Sequence, residues 1–198
     1  PKYAKTLEQV LQRYQVNTHY SHNLVEIKAQ EKIAVFENAD GQRIEQAYDF
    51  IHITPPQSAP DFIKQSPLAV QGNPLGWIEV DKHSLQHVRY PNVFACGDAT
   101  NTPNAKTGAA VRKQVPVLVA NLLSWMQNKT LTAQKYNGYG SCPLVTGYGK
   151  LVLAEFDYDN NPQETFPFDQ SQERWTMWML KKHILPWLYW NRILYGKA

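Results

Sequence analysis

The chain has 198 residues, 43% of them hydrophobic and 12% aromatic, with a formal net charge of +3; that composition excludes intrinsic disorder and leaves room for one large domain or two small ones with real cores. The charge is too mild to argue for a nucleic-acid partner, since Lys and Arg are dispersed except near the C-terminus. Two cysteines, Cys96 and Cys142, without a signal-peptide pattern ahead of them, argue against a disulfide scaffold.

In chain order, Leu7, Val10, Leu11 and Tyr14 fall at helical spacing and predict an amphipathic helix over residues 5–15. Residues 24–29, 32–37 and 43–54 read as an antiparallel meander, with a turn at Ala39-Asp40-Gly41 and a stop at Pro55-Pro56. Phe50-Ile51-His52-Ile53 is strand-like within the last of these. The stretch 57–76 predicts a long connection with one short helix near 61–65, followed by two short strands at 77–80 and 88–95. A long helix over 106–128 comes next; its nearly apolar run, 115–126, is shorter than the about 20 residues a membrane span needs. Beyond Tyr136 a Gly- and Tyr-rich loop leads through Cys142-Pro143 to a strand at 150–156. Asp169 with Gln172 has the spacing of a capping box opening a helix through about Leu180. No internal repeat or low-complexity tract is visible.

The stretch 90–111, YPNVFACGDATNTPNAKTGAAV, is chemically the most informative. Gly97 permits close backbone approach, Asp98 at a strand end can accept from ribose or ribityl hydroxyls, and Lys106-Thr107-Gly108 opens a helix whose N–H groups and dipole favour negative charge. Together they suggest a flavin, although Gly-Asp is also an ordinary turn. Cys142 lies in Ser141-Cys142-Pro143-Leu144, which reads as an irregular segment; a loop-mounted thiol suits redox chemistry, and a small buried hydrophobe is the alternative. Cys96 sits in an apolar strand, where packing is the expected role. His19-x-x-His22 and His83-x-x-x-His87 lack the neighbours a metal site needs, and no Gly-x-Ser-x-Gly elbow occurs. The pairs Gly138-Tyr139-Gly140 and Gly147-Tyr148-Gly149 leave a dinucleotide fingerprint incomplete. The C-terminal segment holds Trp175, Trp178, Trp187 and Trp190, interleaved with Arg174, Lys181, Lys182, Arg192 and Lys197, and no acid follows Glu173. It reads either as an amphipathic segment lying on a membrane surface or as a helix pair packed on its own domain or a partner.

On these residues the sequence resembles the sulfide:quinone oxidoreductases, membrane-associated flavoproteins built, like the disulfide reductases, from two Rossmann-type domains and a C-terminal region. The most specific stretches are YDFIHITPPQSAPDF (48–62), residues 90–111, SCPLVTGYGK (141–150) and LAEFDYDNNPQETFPFDQSQER (153–174). The resemblance is strongest to the mitochondrial-type branch and its bacterial relatives, which implies an inner-membrane surface location. It implies oxidation of sulfide to sulfane sulfur, with electrons passing through FAD to a membrane quinone. By position, Cys142 matches one cysteine of the sulfur relay, Gly97 and Asp98 the FAD-contacting strand end, and Lys106, Thr107 and Gly108 the helix start beneath the isoalloxazine. Phe166 and Phe168 match the quinone pocket.

The implied fold is α/β, part of a two-dinucleotide-binding-domain flavoprotein with a C-terminal strand-and-amphipathic-helix region. Residues 1–65 complete the second Rossmann-like domain, 66–128 the FAD domain, and 129–198 the quinone and membrane region. The chain has neither a Gly-rich FAD fingerprint nor a second relay cysteine, since Cys96 belongs to the strand. It is therefore expected to be a C-terminal portion, inactive alone; the first residue, Pro1, is compatible with a processed or truncated product. No nucleic acid and no metal are expected, and a homo-oligomer is compatible with the reading. The alternatives are a type II NADH:quinone oxidoreductase, which shares the Gly-Asp strand end but needs no loop thiol, and a non-catalytic membrane-binding remnant.

Overall fold

The computed structural model describes residues 2–103, 106–132 and 134–197. Contacts divide the chain into two units, residues 11–56 and residues 1–10 with 57–198. Helix α1 (Ala4–Arg13) spans the junction in sequence.

The 11–56 unit is the expected meander. Strands β1 (Asn23–Lys28), β2 (Ile33–Glu37) and β3 (Arg43–Ala47) pair antiparallel in that order, with Lys28 opposite Ile33 and Glu37 opposite Arg43. Asn38 closes the second turn, its Oδ1 accepting from the amides of Asp40 (3.0 Å) and Gln42 (2.9 Å). Ala34 and Val35 of the central strand are buried. The third strand is shorter than its pattern predicted. It ends at Ala47, residues 50–53 form no strand, and Phe50 is 88% exposed. Phe50-Ile51-His52-Ile53 has strand-forming residue types, but a strand needs a neighbour for its backbone groups, and β3 pairs with β2 only as far as Ala47 opposite Ile33.

In the larger unit, α2 (Asp61–Lys64) is the expected short helix. The predicted strands at 77–80 and 88–95 reduce to isolated bridges, Ile78 with Thr100 and Ala69, Val80 with His87, and Gln86 with Phe94. Buried His87 helps hold this irregular region: its Nε2 is 3.0 Å from the Leu68 carbonyl, while Nδ1 accepts from the amides of Arg89 and Tyr90. Helix α3 (Gly108–Met126) buries Ala110, Gln114, Val117 and Asn121, positions i, i+4, i+7 and i+11 of one face. The two polar members are satisfied. Gln114 Oε1 accepts from the Gly97 amide, and Asn121 bridges the Ser84 carbonyl to the amide and hydroxyl of Thr132.

The segment 140–147 differs most from the sequence expectation. It forms β4 (Gly140–Gly147), paired antiparallel with β5 (Lys150–Phe156) through a turn at Tyr148-Gly149. Gly149 has φ of +69°, the left-handed conformation that glycine adopts without penalty. Pro143, opposite Leu153, has no N–H to give to the ladder, and its carbonyl accepts from Lys181 Nζ at 3.0 Å. One face of the hairpin packs Val152 and Ala154 with Tyr3, Cys142, Leu144 and Phe156; the other packs Leu151 and Leu153 with Phe166, Phe168, Met177, Trp178 and Leu180. The two sets alternate along β5, as a strand covered on both sides requires. The Asp169 capping box opens no helix. Asp169 instead accepts from the Ser171 amide and hydroxyl and from Gln172, while α4 (Trp175–Met179) begins after an uncapped Arg174. A π-helical turn (Leu180–Ile184) then leads into α5 (Leu185–Asn191).

Candidate functional site

Five of the sequence-selected residues meet at the start of α3. The chain enters through Ala95, whose amide donates to the Leu85 carbonyl, and turns in a single 3-10 turn at Gly97–Ala99. Gly97 has φ of +74°, and a Cβ there would lie 3.3 Å from Val111 Cγ2 on α3, so the position combines a left-handed backbone with close helix packing. Thr100 closes the turn by donating its hydroxyl to the Gly97 carbonyl at 2.9 Å. Asp98 is thereby turned to solvent.

Thr107 caps α3, its hydroxyl oxygen accepting from the Ala110 amide at 3.3 Å. The amides of Gly108 and Ala109 precede the first intrahelical hydrogen bond and stand free of the helix ladder. Gly108 is exposed, with no atom within 4 Å of a Cβ placed on it. Lys106 is half-buried; its ammonium lies 4.3 Å from the centroid of the Trp77 ring and donates to the Thr100 carbonyl. Burial lowers its pKa, and the nearby Asp98 carboxylate partly offsets that. Asn104 and Ala105, inside the same stretch, lie outside the described residues.

Cys142 is half-buried on β4 opposite Ala154. The expectation of a loop-mounted thiol is corrected: a paired strand carries it and fixes its direction. Cys96 belongs to a separate cluster with Leu85, Ala110, Val117, Tyr136 and Tyr139, and burial pushes its thiol pKa up. Both thiols are free, and they sit in different parts of the core.

Phe166 and Phe168 form a stacked pair with centroids 5.4 Å apart and planes 12° from parallel, and the Arg174 guanidinium lies 4.4 Å from the Phe168 centroid. They cover the hairpin face opposite Cys142. Sequence reasoning missed the group that holds them. Glu155, only 2% exposed, accepts from the hydroxyls of Tyr139 and Thr165, the Thr165 amide and the Gln170 side chain. Desolvation pushes its pKa up, but these donors outweigh it and leave the carboxyl below its ordinary range. The signal was an acid between apolar Ala154 and Phe156 in a strand whose even and odd positions are both apolar.

Among the described residues no group of three or more His, Cys, Asp or Glu could hold a metal ion, and no helix is long and apolar enough to cross a membrane. The last residues are open: Trp187 is 57% and Trp190 64% exposed.

No family model matches the chain. It is 48% identical over 197 residues to the mitochondrial sulfide:quinone oxidoreductase of Mus musculus, covering 98% of this chain and 43% of that protein. The mitochondrial sulfide:quinone oxidoreductase of Dictyostelium discoideum is 44% identical over 196 residues, covering 99% of this chain and 42% of the relative. Among solved structures, the sulfide:quinone oxidoreductase of the hyperthermophilic bacterium Aquifex aeolicus superposes with a TM-score of 0.77 at 15% identity, over 94% of this chain and 44% of that one. The chain thus spans less than half the length of the proteins it matches. Over nearly all of its own length it is related to the sulfide:quinone oxidoreductases, as the counterpart of their C-terminal portion.

Proposed function

We propose that this chain supplies the C-terminal part of an FAD-dependent sulfide:quinone oxidoreductase. The observation that carries the reading is a single corner in which an exposed carboxylate, a left-handed glycine and the open N-terminus of a 19-residue helix converge. That donor and acceptor set fits a flavin. Asp98 would accept hydrogen bonds from ribityl hydroxyls, while the amides of Gly108 and Ala109, with Lys106, would face the electron-rich edge of the ring. Bound there, FAD supplies the two-electron exchange between sulfide and quinone.

The chain's own residues divide the remaining tasks. Cys142 is the thiol that handles sulfur, held by strand pairing rather than by a mobile loop. Phe166 and Phe168 offer a flat aromatic surface to a quinone ring on the opposite hairpin face. Residues 1–65 belong to the second Rossmann-like domain, 66–128 to the FAD domain and 129–198 to the quinone and membrane region. Exposed Trp187, Tyr189, Trp190 and Tyr195, with basic Lys181, Lys182, Arg192 and Lys197 and no acid among them, suit the headgroup layer of an inner-membrane surface.

The test is a chimera in which this chain replaces the corresponding portion of the mouse relative. The expected product is yellow and reduces quinone with sulfide, and Cys142→Ala abolishes the sulfide-driven rate. Undiminished sulfide turnover in Cys142→Ala would sink the thiol assignment. Quinone reduction driven by NADH and not by sulfide would favour a type II NADH:quinone oxidoreductase.

A further inference from the structure

We propose that Glu155 is the positioning residue of the aromatic pair: its buried carboxylate fastens the 164–170 loop to the thiol-bearing hairpin and thereby sets the affinity for quinone. The inference rests on the reading of Phe166 and Phe168 as the quinone surface. Glu155 lies on β5 opposite Ser141, one residue from the Ala154 and Cys142 pair, so its backbone belongs to the element that carries the thiol. Its side chain turns to the other face. There Thr165 donates its amide (2.8 Å) and hydroxyl (2.7 Å), and Gln170 donates its side-chain amide (2.6 Å), to the two carboxylate oxygens. Gln170 is fully buried and passes the constraint on, its Oε1 accepting from the Phe166 amide at 2.9 Å. The backbone carbonyl of Glu155 takes the Gln163 amide at 3.0 Å.

Apart from a longer bond from the Gln170 side chain to the Leu153 carbonyl at 3.3 Å and one from the Tyr3 hydroxyl to Glu164 at 3.3 Å, the loop's other anchors on the hairpin side are ion pairs. Lys2 pairs with Glu164 at 2.8 Å and Asp169 at 3.1 Å, but these partners are partly exposed and contribute little when screened by water. A carboxylate is the side chain this geometry requires. Four donors converge on two oxygens, which together offer about four lone-pair sites. Glutamine has the same shape but no charge: its NH2 would face the Tyr139 and Thr165 hydroxyls on the Oε1 side, its oxygen the Thr165 amide and Gln170 on the Oε2 side, so the charge assistance of these bonds is lost without a change of volume. The Tyr139 hydroxyl is the fourth donor, and Tyr139 also packs with Ala110 and Val117 of α3. One carboxylate therefore ties together the helix that frames the proposed flavin corner, the thiol hairpin and the aromatic loop.

Hydrogen exchange on this chain and kinetics on the chimera test the inference separately. Glu155→Gln is expected to speed exchange at the Thr165 and Phe166 amides roughly tenfold, with the amides of β4 and β5 unchanged, since about one charge-assisted hydrogen bond is lost. In the chimera it is expected to raise the KM for quinone by a similar factor, while single-turnover flavin reduction by sulfide keeps its wild-type rate. Thr165→Val removes one donor with little change of shape and keeps the test available if Glu155→Gln does not fold; a smaller shift in the same two readouts is expected. Unchanged exchange at Thr165 and Phe166, or equal losses in quinone and sulfide half-reactions, would overturn the positioning role. If Phe166→Ala and Phe168→Ala leave the quinone KM unchanged, the quinone reading fails instead, and the exchange result still decides whether Glu155 holds the loop.

Discussion

Two neighbouring segments rich in aromatic and aliphatic residues meet opposite fates. In α4, Trp175 at its start is 61% exposed, but Met177 is 6% exposed and packs with Leu151, Leu153, Trp178 and Leu180 against the hairpin. In α5 and the turn after it, Trp187, Trp190 and Tyr195 are 57%, 64% and 69% exposed. The π-helical turn at Leu180–Ile184 lies between them and advances the helix by an extra residue, so a face continuous in sequence is not continuous in space. Hydrophobicity alone therefore does not decide burial; an available partner surface does. The hairpin offers one to α4. α5 has no charged residue of its own and is flanked by basic Lys181, Lys182 and Arg192, a composition that fits the membrane surface proposed as its partner.

The largest expected effect breaks the buried side of this contrast. Glu155→Ala leaves several buried donors unpaired and should cost about 3 kcal/mol, read as a lower urea midpoint at unchanged slope. Glu155 also makes stability depend on acid. Its folded pKa lies below its unfolded value, so its contribution is complete above the ordinary carboxylate range and is lost as pH falls through the depressed folded value. Acid unfolding of wild type followed by circular dichroism should therefore begin below that range, whereas Glu155→Gln should lack this component.

Met177→Ala should cost about 2 kcal/mol, whereas Ile184→Ala, at an exposed site, should stay within about 0.5 kcal/mol. Equal losses from the two would erase the distinction between the segments. The exposed side is probed with vesicles: Trp187→Ala with Trp190→Ala should lower co-sedimentation by about tenfold while leaving the melting temperature unchanged. No change in co-sedimentation would remove the case for a membrane-facing tail. The smallest loss expected at a partnered position is at the proposed flavin corner. Thr107→Ala removes the cap of α3 and should cost about 1 kcal/mol, with weaker flavin retention in the chimera.

Much of this was legible in sequence because it is local. The meander announced itself by three strand-like runs and a Gly-containing turn, and α3 by its Ala-, Val- and Leu-rich run, while its Thr107 cap emerged only in the structure. The corner at Gly97, Asp98 and Gly108 was legible because an apolar run, a Gly-Asp and a helix start are close in the chain, although the run forms only isolated bridges and no strand. The hairpin was not. Pro143 and the paired glycines around Tyr148 looked like loop chemistry, whereas Pro143 sits opposite Leu153 with its carbonyl bonded to Lys181, and Gly149 makes the turn between β4 and β5. Tyr148-Gly149 between Val145 and Leu151 was a hairpin signal in its own right. The capping box at Asp169 misled for a related reason: its hydrogen bonds close a turn with Ser171 and Gln172, and α4 begins only six residues after Asp169.

The sequence by itself determined the helices and strands whose hydrogen bonds close within a few residues, the grouping of the residues at the proposed flavin corner, and the resemblance carried by its motifs. Only the tertiary structure decided that Cys142 rides a strand, that it and the Phe166 and Phe168 pair lie on opposite faces of one hairpin, and that Glu155 joins residues from Tyr139 to Gln170. The physical reason is range. A buried carboxylate is tolerable only where distant donors converge on it, and such convergence is a property of packing that no local pattern encodes.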